Sequence, residues 1–152
     1  MVELRKKSAF TLIELLVVVI IVAVLAAVGV PLLSANVLRA RTSEVEAGLG
    51  EIRTGLRARF AEFGTYAGAS GLTPIAANIG VQAGDLTGRF FNDDDYLAIT
   101  AALATFCAGA TGNILTPPPS GKGGQVAGVS RSINQDGTLF STAGCTAGTE
   151  LN

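Results

Sequence analysis

The sequence predicts an α+β protein, one long N-terminal helix packed on a small antiparallel sheet. Two observations predict the helix. Residues 10–33 read FTLIELLVVVIIVAVLAAVGVPLL, with no charge beyond Glu14; at about 1.5 Å per residue such a helix is long enough to cross the hydrocarbon core of a bilayer. From Ser34 the pattern turns amphipathic, with Val45, Leu49, Ile52, Leu56, Phe60 and Phe63 recurring at steps of four and three, the period of one helix face. The sheet is predicted by short apolar runs late in the chain, two of which flank Asp136-Gly137, a dipeptide suited to a tight hairpin turn.

In chain order, residues 1–9 form a short leader in which Arg5, Lys6 and Lys7 outweigh Glu3. An excess of Lys and Arg holds that end on the cytoplasmic side, so the bulk of the chain is expected across the membrane. A secretory signal has an apolar region of about 7 to 15 residues followed by a small-residue cleavage site. Here the apolar run is longer, and the small residues Ser8 and Ala9 precede it. Glu14 is costly in lipid unless neutralised, yet no Lys or Arg lies between Lys7 and Arg39. One account of Glu14 is simply that a helix dipole favours a carboxylate in its first turns. Near the other end, Gly29 and Pro31 predict a kink or local loosening, because proline removes a backbone hydrogen bond and crowds the preceding turn at a cost of about 3 kcal/mol.

Residues 34–64 carry the helix into the globular part, with the apolar face expected against the protein's own domain. Gly48, Gly50 and Gly55 each weaken a helix by about 1 kcal/mol relative to Ala and are expected to mark close packing against the sheet; Gly64 is the expected stop. The whole helix would be about 80 Å long if straight. Residues 65–152 make the globular domain. Residues 65–89 read as an irregular connection with one short helical turn, and 92–95 as a polar turn. Alternation of Leu97, Ile99, Ala101 and Leu103 predicts a strand over 97–106, residues 116–124 (TPPPSGKGG) read as a loop, and 126–133 and 138–142 as strands.

Composition narrows the function. The chain has no His, so the commonest general base and the commonest nitrogen ligand for transition metals are both missing. No catalytic residues, cofactor or metal site are assigned, and the chain reads as a non-enzyme. Asp93, Asp94 and Asp95 lack EF-hand spacing and are read as a solvated turn. Lys122 beside glycines lacks the spacing of a phosphate loop. A net charge of −1 gives no electrostatic case for nucleic acid. Cys107 and Cys145 are the only cysteines; in an exported domain a disulfide is their expected use, and a metal site is the weaker alternative.

The stretch KKSAFTLIELLVVVIIVAVLAAVGVP resembles the N-terminus of type IV pilins and of the pseudopilins of type II secretion. The resemblance implies that prepilin peptidase, a membrane-embedded aspartyl protease, cuts between Ala9 and Phe10 and that Phe10 is then N-methylated. The usual residue before the cut is Gly, where this chain has Ala9. Thr11, Leu12, Ile13, Glu14 and Pro31 match the pattern. The family further implies that Glu14 pairs with the new α-amine of a neighbouring copy and so sets axial register. It also implies the pilin-like fold, a long helix on an antiparallel sheet, and a C-terminal region closed by a disulfide, here Cys107 with Cys145. Such a bridge, closing a loop of about forty residues, is worth about 3 to 4 kcal/mol on the loop-entropy model.

The expected function is therefore a structural subunit of a type IV pilus-like filament, anchored by a single pass in the inner membrane with its N-terminus cytoplasmic, then assembled into an extracellular or periplasmic polymer. Its expected partners are copies of itself, prepilin peptidase, and the assembly platform of the pilus or secretion machinery. The alternatives are a pseudopilin of a type II secretion or DNA-uptake system and a single-pass anchored periplasmic binding module.

Overall fold

The structure, a computed structural model, describes residues 10–112 and 129–151. The leader, the 116–124 loop with Lys122 and the start of the 126–133 strand lie outside the described residues. Helix α1 spans Leu12–Phe63. The described residues form one five-stranded sheet whose strands pair in chain order, each antiparallel to the next: β1 (Thr100–Ala101), β2 (Phe106–Thr111), β3 (Ser130–Asn134), β4 (Leu139–Phe140) and β5 (Glu150–Leu151). This is the α+β arrangement that the sequence predicts. The chain divides into two compact units between Leu38 and Arg39.

In the first unit, the described residues from Leu12 onward are all helical. Pro31 lies inside the helix, and the Ser34 hydroxyl donates to the Pro31 carbonyl at 2.8 Å. That side-chain bond occupies a carbonyl in the region where proline, lacking an N–H, interrupts the ladder.

In the second unit the amphipathic stripe becomes core. Val45, Leu49, Ile52 and Leu56 are fully buried, each side chain contributing about 1.5–3 kcal/mol of burial. They meet Phe106, Ala108 and Ala110 from β2, Ile133 from β3, and Phe91, Tyr96 and Ile99 from the segment before β1. Phe63 departs from the predicted stripe, being 58% exposed with the Arg59 guanidinium over its ring. The helix ends at that residue, and the Gly64 N–H closes it on the Phe60 carbonyl at 2.8 Å, so no further turn continues the packed face.

The helix glycines do not pack on the sheet. A Cβ on Gly48 would overlap the Tyr96 hydroxyl, one on Gly55 would overlap the Ile79 carbonyl, and one on Gly50 would meet nothing. Gly48 and Gly55, seven residues apart and so on one face, admit the 65–96 connection against the helix backbone. Glu44, one turn before Gly48 on the same face, also holds that connection: its carboxylate accepts the backbone N–H groups of Arg89 (3.2 Å), Phe90 (2.8 Å) and Phe91 (2.7 Å).

Further polar ties join α1 to the rest of the unit. Arg53 donates to the Gln135 carbonyl at 3.2 and 3.3 Å, Arg59 to the Ala77 carbonyl at 3.1 Å, and Arg131 pairs with Glu46 at 3.3 Å.

Within the strand predicted over 97–106, only Thr100–Ala101 (β1) and Phe106, the first residue of β2, are strand. Residues 102–105 turn the chain between β1 and β2, with the Ala102 N–H donating to the Thr105 carbonyl at 2.8 Å. Upstream, Leu97 donates to the Gly109 carbonyl at 2.8 Å and Tyr96 bridges Ala110, so the end of the connection pairs with β2 beyond β1. The hairpin at Asp136-Gly137 connects β3 to β4, with the Asn134 side-chain oxygen accepting from the Asp136 and Thr138 N–H groups at 3.1 and 2.9 Å. Cys107, at the second position of β2, is bonded to Cys145 across a Cα–Cα distance of 5.9 Å.

Candidate functional site

The segment that the sequence marks most strongly begins where the helix begins. Thr11 precedes α1, and Glu14 is the third residue within it. Glu14 Oε2 accepts from the Thr11 N–H at 2.9 Å and from the Thr11 hydroxyl at 2.8 Å, while the Glu14 N–H donates to the Thr11 hydroxyl oxygen at 3.3 Å. This reciprocal exchange is a capping box, which satisfies N–H groups that a helix start otherwise leaves without partners. The box is a use of Glu14 that neither the dipole nor the register account contains. Its signal was in the sequence, a Thr three residues before a Glu at the head of an apolar run.

Beyond the box, Phe10 is 82% exposed and Leu33 66%. Every residue from Phe10 to Leu33 is exposed, whichever way its side chain points. A helix that is apolar on all sides is suited to a membrane or to the inside of a helical assembly, and α1 contains a stretch long and apolar enough to cross a membrane.

The N-terminus carries a prokaryotic N-terminal methylation motif. Residues 4–30 match the family model of that description, and the match takes in the leader's basic residues, Ala9, Phe10, Thr11, Glu14 and Gly29. No curated protein and no solved structure matches the chain. The motif, the long helix and the small antiparallel sheet fit a prepilin-like precursor, and the apolar helix is consistent with anchoring in a membrane.

Of the residues marked from sequence, Phe10 and Glu14 come together at the helix start, within the motif. Gly29 and Pro31 share a later turn of the same helix, Cys107 and Cys145 are joined in the second unit, and Ala9 is outside the described residues. Of the aspartates after Asn92, Asp93 and Asp95 are committed to local hydrogen bonds. Asp93 accepts from the Gly84 N–H at 2.6 Å and the Thr87 hydroxyl at 3.2 Å, and Asp95 from the Asn92 N–H at 2.8 Å. Burial, opposed by the Asn92 N–H bond, pushes the Asp95 carboxyl above its usual value. Among the described residues no group of three or more His, Cys, Asp or Glu side chains is placed to hold a metal ion.

Proposed function

We propose that this chain is a pilin, the structural subunit of a type IV pilus-like filament. The reading has residues 1–9 as leader, 10–33 as membrane span and later filament core, 34–64 as the helix that bears the domain, and 65–152 as the globular remainder. Prepilin peptidase cuts between Ala9 and Phe10 and methylates Phe10. One observation carries the reading: the methylation motif lies over a helix that is apolar and exposed on every side from Phe10 to Leu33.

The chemistry of assembly follows from what that helix lacks. In lipid its surroundings are already apolar, so moving it among other copies of itself gains little hydrophobic free energy, and packing and polar pairing must direct the exchange. Glu14 is the one charged side chain available to do so between Phe10 and Leu38. In the uncut precursor the nitrogen of Phe10 is an amide; cleavage turns it into a cationic amine, the complementary charge for the Glu14 of an adjoining copy. Loosening at Gly29 and Pro31 belongs to the same step. Lifting each subunit out of the bilayer falls to the assembly platform, because the chain has no nucleotide-binding motif of its own.

The test is the N-terminus of surface material. Mass spectrometry of a sheared extracellular fraction should find the chain starting at a methylated Phe10, in filaments visible by electron microscopy. Recovery only in the membrane fraction, with residues 1–9 still attached, would sink the proposal.

A further inference from the structure

One cluster of guanidinium groups in the second unit forms no ion pair among the described residues. The guanidinium groups of Arg41 and Arg89 each lie 5.5 Å from the centroid of the same Phe90 ring. Two like charges on one ring repel, and among the described residues the ion pair joins Arg131 to Glu46, so neither arginine, nor Arg39 beside them in sequence, is held by a carboxylate. Arg41 Nε is buried and meets no acceptor among the described residues. The nearby Glu44 carboxylate accepts the backbone N–H groups of Arg89, Phe90 and Phe91. That fixes the ring and the Arg89 backbone in place, while neither guanidinium is ion-paired to that carboxylate, so both can still meet an external anion.

The position of the cluster along α1 suggests the source of that anion. Counted from Glu14, about 30 Å of helix, the thickness of the hydrocarbon core, reaches Ser34. The headgroup layer adds roughly 5–8 Å on each side; Arg39 and Arg41 come roughly 8 and 11 Å beyond Ser34. Long basic side chains at that level reach back to lipid phosphates, and an aromatic ring between them suits the same polar–apolar boundary.

We propose that Arg39, Arg41, Arg89 and Phe90 form a docking surface for anionic phospholipid headgroups, which holds the second unit against the bilayer while the subunit waits for assembly. This rests on residues 10–33 spanning the membrane, as proposed above. Each arginine contributes roughly a fivefold gain in partition to an anionic surface, and a subunit leaving the membrane for the filament gives up these contacts together with those of its helix.

The chain has no Trp, so Phe90→Trp places a single tryptophan, excited selectively over the two tyrosines, inside the cluster. The full chain carrying it is reconstituted into vesicles of phosphatidylethanolamine and phosphatidylglycerol, or of phosphatidylcholine alone, each with a headgroup-nitroxide lipid. Quenching should be roughly twofold or more stronger in the anionic vesicles, and should fall to the neutral level in molar salt and in Arg41→Gln/Arg89→Gln. Amide hydrogen exchange over residues 86–92 in the chain with Phe90 intact should show the same dependence on lipid charge, independently of the reporter.

Equal quenching in both vesicle types, or no effect of the double substitution, overturns the docking surface. So does exchange protection over residues 86–92 reproduced by dissolved inorganic phosphate in neutral vesicles, which would mark a free-anion site, or protection that vanishes when protein is diluted in lipid, which would mark contact between copies. Extraction by alkaline carbonate separates this failure from that of the underlying reading. A chain that stays in the membrane yet fails the quenching test loses only the docking surface; one that is extracted loses the span and the docking surface with it.

Discussion

Glu14 has a local partner in Thr11 before any second copy is considered, and this makes its proposed assembly role separable by one substitution. Glutamine serves a capping box as glutamate does, so Glu14→Gln keeps the helix start and removes only the charge. Insertion in the membrane fraction should be unchanged while the yield of sheared filaments collapses; normal filament yield would leave Glu14 as a helix-start residue and no more. Ser132 offers a test of a different kind. It is fully buried in β3, and among the described residues its hydroxyl oxygen has no hydrogen-bond partner, so Ser132→Ala removes an uncompensated polar group and should raise stability by about 1 kcal/mol in urea unfolding of the detergent-solubilised chain.

Tyr96 supplies a pH dependence. Burial first, then the charges of Glu44, Asp95, Glu51 and Asp93, push its phenol well above the usual tyrosine value. The folded chain therefore favours the neutral phenol. The associated stability is whole below the unfolded value of about 10 and is lost as pH rises from there toward the folded value. Urea midpoints should fall as pH climbs above about 10, and Tyr96→Phe should flatten that fall; an unchanged slope in the variant would assign the alkaline loss to other groups.

Among the elements, α1 was legible because its first half is apolar throughout and its second half obeys one period: of the residues that the steps of four and three pick out, Val45, Leu49, Ile52 and Leu56 are fully buried. The strands were less so. Residues 97–106 alternate apolar and small side chains without a Gly, Pro, Asn or Asp to mark the turn at 102–105, so pattern alone ran β1 into β2. The helix glycines signalled close approach, but composition could not say what approaches, and the answer is the connection before β1. The distinction can be tested. Gly55→Ala would set a Cβ against the Ile79 carbonyl, a backbone atom that moves only with its segment, and should cost about 1–3 kcal/mol. Gly50→Ala, with open space around it, should stabilise the helix by about 1 kcal/mol. Equal effects in thermal unfolding would contradict the packing described.

At the scale of the whole molecule, the Cys107–Cys145 bridge closes a separation of 38 residues that contains β3 and β4. In a domain with few aromatics its loss by reduction should cost about 3 to 4 kcal/mol; a urea midpoint indifferent to reductant would show that the sheet stands without it. The motif end of the candidate site was legible because its residues are contiguous, from the basic leader through Glu14. The arginine–phenylalanine cluster was not, because Arg41 and Arg89 are brought onto one ring only by the fold.

The ties between α1 and its own unit also have a mechanical consequence. Glu44, Glu46, Arg53 and Arg59 bind the helix to the 89–91 segment, β3, the β3–β4 turn and the Ala77 carbonyl respectively. They are spread over about 22 Å of helix axis. A tug along that axis strains them all at once, in shear, instead of unzipping them one after another. A subunit pulled by its helix would therefore carry its domain along as cargo, and would give way first elsewhere.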